Sequence, residues 1–171
     1  NLVNDAYNKN KLMGMVQSQK EGKEVYKIGC LGKISDYRKS KDGRLLINLT
    51  GVTRFKILEE VKNNKLYREF RVNYKDFQTD LINSYREVND ESLMKVAKIF
   101  FKKHGLSLNW VEFENLNKIQ KINTLAMIAP VTNEEKQKLL ETISLEDKIK
   151  TLESIISFYL HDINFDNLTV Q

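Results

Sequence analysis

The stretch that most constrains this chain is Val25–Leu58, which reads as two strands joined by a tight turn. From Val25 to Tyr37 one parity carries Tyr26, Ile28, Cys30, Gly32 and Ile34, and the other carries Lys27, Lys33 and Ser35. After Lys41-Asp42-Gly43-Arg44 comes a second alternating run. It sets Leu45, Ile47, Leu49, Phe55 and Ile57 against Arg44, Asn48, Thr50, Arg54 and Lys56. A period of two places one face in a core and the other in water. Asp-Gly supplies the positive φ angles of a hairpin turn. The second run is long for a strand and holds Gly51 in its middle, where a bulge or sharp bend belongs. The expectation is a small, strongly bent antiparallel sheet.

The rest of the chain divides around this hairpin. Leu2–Tyr7 reads as the end of a short helix and Leu12–Val16 as a strand, with a turn at Glu21-Gly22-Lys23. Asn63-Asn64 marks another turn. Lys65–Tyr74 then alternates, with Leu66, Phe70, Val72 and Tyr74 on one face and Tyr67, Glu69, Arg71 and Asn73 on the other. It is expected to pair with the end of the third strand.

Near residue 76 the period becomes helical. Asp90 or Ser92 is placed to cap a helix bearing Leu93, Val96, Ala97 and Phe100, and Gly105 to stop it. A second helix carries Leu116, Ile119, Ile122, Leu125 and Ala126 and ends before Pro130. Thr132 with Glu135, and Ser144 with Asp147, are capping boxes for two more helices. The last carries Leu145, Ile149, Leu152, Ile156, Tyr159 and Ile163 on one face, and the tail beyond Asn164 is expected to fray. The fold class is therefore α+β, a bent antiparallel sheet over residues 1–77 followed by a helical bundle over 78–171, with the boundary near Phe77–Val88.

Chemistry is sparse. His104 and His161 lie far apart and outside any metal-ligand motif, and both are expected at helix ends. Cys30 sits on the apolar parity of its strand and reads as a small core residue. No phosphate-cradling loop, nucleophile elbow or cofactor signature is present, and paired carboxylates such as Glu134-Glu135 stand at helix starts. Catalytic, metal and cofactor sites are therefore all expected to be none. Phe100-Phe101 and Trp110 are weighed as an exposed peptide-binding surface, but packing against bundle and sheet is the simpler reading.

Charge adds one clue. Residues 1–75 hold 17 Lys+Arg against 8 Asp+Glu, and residues 76–171 hold 11 against 15. A basic half fits nucleic acid or an acidic partner, although solubilising lysine on a sheet's outer face explains it more simply. No apolar run approaches the roughly 18–20 residues that span a membrane. The single cysteine fits a reducing, cytoplasmic setting. Asn1 opens directly into helix, so the chain is expected to be part of a longer product.

The run Gly29-Cys30-Leu31-Gly32-Lys33-Ile34, then Asp42-Gly43-Arg44, then Leu49-Thr50-Gly51-Val52-Thr53-Arg54-Phe55 resembles the N-terminal domain of the Lon proteases. Leu125–Pro130 followed by Glu134–Glu141 resembles the helical region of stand-alone bacterial proteins built from that domain, and the likeness spans about residues 1–160. The resemblance implies a PUA-like β-barrel followed by a helical bundle. It also implies a preceding proline-rich segment with at least one strand, absent here, which leaves a barrel edge unpaired. It implies binding without turnover, in substrate recognition and hexamer assembly, since no ATPase or Ser-Lys protease module is present.

Three functions are weighed on this basis. The first is a non-catalytic module for unfolded or partly folded polypeptide, in substrate recognition or an adaptor role, with a protease or self-association through the open edge as further partners. Lys39, Lys41, Arg44 and Arg54 are its candidate contacts for an acidic segment, although Arg54 reads more simply as pairing with Glu59 or Glu69. The second is an RNA-binding PUA-like module, for which Tyr26 and Tyr37 are the stacking candidates. The third, an enzyme with an unrecognised site, lacks any nucleophile–base pair.

Overall fold

The computed structural model describes residues 2–20, 22–82 and 87–161. Glu21 of the expected turn, part of the expected boundary, and Ile163 with the expected frayed tail lie outside these residues. The chain divides into two compact units, Asn1–Tyr85 and Arg86–Gln171.

The first unit holds helix α1 (Leu2–Tyr7) and four strands, β1 (Leu12–Met15), β2 (Ile28–Lys39), β3 (Leu45–Val61) and β4 (Glu69–Asn73). They form one antiparallel sheet in the order β1-β2-β3-β4. At the β2–β3 turn Gly43 alone takes the expected positive φ, 84°, while Asp42 does not. Gly43 N donates to Ser40 O at 3.0 Å and Ser40 N to Arg44 O at 2.9 Å, a loop closed by one left-handed glycine.

The sheet bends at three register shifts, which leave Ser35, Val52 and Leu58 out of the pairing. The one beside Gly51 bears out the expected bulge. It also corrects the expectation of a single apolar face along β3. Leu49 pairs with Ile34 but Phe55 pairs with Gly29, so the extra residue sends Leu49 and Phe55 to opposite faces. Leu49 packs with Ile47 and Tyr37 onto a small core of Ala6, Met13 and Ile34. Phe55 lies over Gly29, where an added Cβ would stand 2.7 Å from its ring.

Two further corrections concern the strands' ends. Strand β4 is shorter than expected, so Leu66 falls outside the alternation and is 101% exposed, whereas Tyr67 is half-buried. A 3-10 segment at Lys75–Leu81, which periodicity did not signal, buries Phe77. β1 and β4 each have a single neighbour among the described strands, so the sheet stands open between them.

The second unit packs α2 (Glu91–Lys103), α3 (Trp110–Glu114), α4 (Lys118–Ile128), α5 (Asn133–Glu141) and α6 (Leu145–His161) around Leu93, Ala97, Phe100, Ile122, Leu125, Leu152 and Ile156. The expected capping box of α5 forms, with Thr132 Oγ1 accepting from Glu135 N at 3.2 Å and Thr132 N donating to Glu135. At α6 Ser144 Oγ accepts from Asp147 N at 3.0 Å and donates to the Asp147 carboxylate. Asn117 and Gln120 make a further box at α4. At α2 Asp90 takes the expected N-cap position, but its side chain makes no capping bond: it pairs with Lys118 at 3.5 Å, and Asn89 Oδ1 accepts the Glu91 amide at 2.9 Å. Gly105 ends α2 with φ 62°. The short α3 is an addition, capped by Asn109. Phe100 and Phe101 are buried, and Trp110 meets Phe101 and Phe113 edge to face at 5.8 and 5.5 Å. Packing, not an exposed surface, is therefore the role of these aromatics. No described helix is long and apolar enough to cross a membrane.

Candidate functional site

A concave feature of the first unit lies where the sheet stands open. A trough of about 670 Å³ runs between α1 and β1 on one wall and the end of β3 and β4 on the other. Its lining is mainly apolar: Ala6, Met13, Leu31, Phe55, Phe70, Val72 and Tyr74. These positions come together because β1 and β4 sit at opposite ends of a sheet that three bulges have curled. Among the described strands, β1 and β4 each have one edge without a neighbouring strand. Such an edge offers a row of backbone donors and acceptors to an incoming chain.

Polar contacts join the two walls. The Tyr67 hydroxyl donates to Asp5 Oδ2 at 2.8 Å. This bond holds the Asp5 carboxyl below the usual carboxylate range, helped by Lys9 and Lys65 and opposed by desolvation. The same bond pushes the Tyr67 phenol up. Arg68 meets Glu60 through two hydrogen bonds of 2.7 and 2.6 Å and donates to Lys23 O at 3.3 Å, which ties the approach to β4 to the β1–β2 connection. Sequence reading missed Tyr67 and Asp5, which are 62 residues apart. The one local sign was a tyrosine on the nominally polar parity.

Of the residues singled out from sequence, Lys39, Lys41 and Arg44 gather, exposed, at the tip of the β2–β3 hairpin, with Arg44 Nε 2.6 Å from Asp42. Arg54 is not with them. It is buried, and its guanidinium bonds Asp80 at 2.8 and 2.9 Å and lies 4.4 Å from the Phe77 ring centre. The expected pairing with Glu59 or Glu69 is thus corrected: Glu59 pairs with Arg71 and Glu69 with Lys65. The 3-10 segment, unseen in the sequence pattern, brings Asp80 closer to Arg54 than either glutamate.

Other chemistry is thin. Among the described residues no group of three or more His, Cys, Asp or Glu is placed to hold a metal. Cys30 is half-buried, and the His104 ring packs 4.8 Å from that of Phe100.

The family model described as the ATP-dependent protease La (LON) substrate-binding domain matches residues 1–157. The chain belongs to this family. Two solved LON structures share its fold. A Lon N-terminal domain protein from Xanthomonas campestris superposes with a TM-score of 0.64 at 18% identity, covering 90% of this chain and 80% of that one. The N-terminal domain of Mycobacterium avium complex Lon protease gives 0.54 at 16%, covering 84% and 77%. No curated protein matches the chain. The LON-type fold is thus α+β, an antiparallel sheet with several helices, and the resemblance read from the Gly29–Ile34 and Leu49–Phe55 motifs identified it.

Proposed function

We propose that this LON substrate-binding domain holds extended polypeptide without acting on it chemically, in substrate recognition or as an adaptor, by strand addition in the trough. The observation that carries this reading is the pair of open strand edges, β1 and β4, bordering an apolar groove. An extended segment gains main-chain hydrogen bonds at such an edge and buries alternate side chains in the groove. A segment seated there completes the sheet toward a PUA-like barrel. Lys39, Lys41 and Arg44 supply a second, charged contact for acidic stretches, while Arg54 serves the scaffold. The setting we propose is cytoplasmic.

RNA is the weaker alternative. The first unit is basic, with 17 Lys+Arg against 10 Asp+Glu over 1–85. Of its two stacking candidates Tyr37 is engaged internally, since Tyr7 stacks on it at 4.7 Å under Lys11, and Arg68 covers Phe70. Nuclear magnetic resonance titration with an unfolded polypeptide and with single-stranded RNA, at low and high salt, separates the two. The reading expects shifts in β1 and β4 with polypeptide that survive salt. Binding of RNA alone, falling steeply with salt, overturns it.

A further inference from the structure

Two walls that must admit an extended chain are fastened to each other. Tyr67, two residues before β4, donates its hydroxyl to Asp5 on α1 at 2.8 Å. Both side chains line the trough and both are half-buried. Among the described residues no strand pairing joins β1 to β4, and the contacts across this gap named above are made by side chains. Leu66, beside Tyr67, is 101% exposed, so the segment leading to β4 has little apolar packing to hold it there. Lys65 stands over the Tyr67 ring at 5.3 Å and also bonds Glu69, which stiffens this approach around the hydroxyl.

We propose that the Tyr67–Asp5 hydrogen bond is a clasp that gates the trough, and that an extended polypeptide reaches the β4 edge only when this bond opens. The proposal rests on the polypeptide-binding reading above. A gating bond of this kind trades closed-state stability for access: the free protein spends most of its time latched, and the apparent affinity is scaled down to the fraction that is unlatched. Removing the hydroxyl while keeping the ring removes the latch and leaves the apolar wall.

The test uses Tyr67→Phe, with Asp5→Asn as a second variant that retains a weaker acceptor. The first readout is amide hydrogen exchange of α1 and β4 in the unliganded protein. The second is binding of a short fluorescein-labelled peptide of alternating valine and threonine. For Tyr67→Phe we expect exchange in β4 to quicken and peptide to associate faster and bind about three- to tenfold tighter, the worth of one hydrogen bond. Asp5→Asn falls between it and the parent. Unchanged exchange in both variants overturns the clasp, whatever the peptide does. Faster exchange with unchanged peptide binding overturns the gating. Faster exchange, with no peptide bound by parent or variant, overturns the polypeptide-binding reading itself and the gating with it.

Discussion

Arg54 and Asp80 meet side-on. Nη2 lies 2.8 Å from Oδ1, Nε lies 2.9 Å from Oδ2, and the Arg54 backbone amide also donates to Oδ2 at 3.0 Å. The side chains are 10% and 17% exposed, and the guanidinium lies over Phe77. One carboxylate thus pins the 3-10 segment onto the middle of the longest strand, just past its bulge. A buried charge left alone is expensive, whereas a pair removed together is not.

Asp80→Ala is therefore expected to destabilise the first unit by about 3–5 kcal/mol, because Arg54 remains buried with its main partner gone. The double change Arg54→Met, Asp80→Leu is expected to cost much less. Urea unfolding of the single and double variants checks this, and equal losses in both would refute it.

Gly29 is held by space. A Cβ there would stand 2.6 Å from Met15 O and from Val16 Cγ1, and 2.7 Å from the Phe55 ring. The Met15 carbonyl oxygen is backbone that cannot swing clear, and the Val16 and Phe55 side chains crowd the same spot, so Gly29→Ala is expected to cost about 1–3 kcal/mol through overpacking. Gly32→Ala meets only Leu49 side-chain atoms at 3.4–3.7 Å and is expected to be milder. Thermal unfolding of the two variants side by side makes the comparison.

Glu135 does two jobs in the bundle. Its Oε2 accepts from Thr132 N at 2.9 Å, closing the capping box of α5, and from the Tyr159 hydroxyl of α6 at 2.8 Å. Thr132→Ala loses only the cap and is expected to cost about 1 kcal/mol. Glu135→Ala also removes an acceptor of the Tyr159 hydroxyl and is expected to cost more than either Thr132→Ala or Tyr159→Phe alone. Chemical denaturation of the three variants measures the difference.

Glu114 on α3 bonds Lys121 of α4 at 2.9 Å and Lys98 of α2 at 3.1 Å, and these bonds hold its carboxyl below the ordinary glutamate value. A carboxylate with a depressed folded pKa contributes stability that is fully present above its unfolded pKa. That contribution is lost as pH falls through the folded pKa. Glu114→Gln is expected to lower stability at neutral pH and to converge on the parent in acid. Urea midpoints across the acidic range read this directly, and parallel curves would contradict it.

The sequence by itself determined the local pieces. Alternation over Val25–Leu58 fixed two strands, Asp42-Gly43 their turn, and Gly51 the neighbourhood of a bulge, because each is a short-range demand of backbone geometry. Thr132 with Glu135, and Ser144 with Asp147, announced their helices for the same reason. The ordered motifs of the hairpin were enough to place the chain in its family.

Tertiary structure decided the rest. Which face Phe55 takes depends on where one unpaired residue falls between two strands, and no periodicity in either strand encodes that. Asp80 became the partner of Arg54 because a 3-10 segment of weak local signal folds back onto β3, bringing together residues 26 apart. The trough exists only because β1 and β4, distant in sequence, are swung toward each other by three bulges, and Tyr67 finds Asp5 across that gap. Local physics writes strands and caps, whereas a site made of two sheet edges is written by the curvature between them.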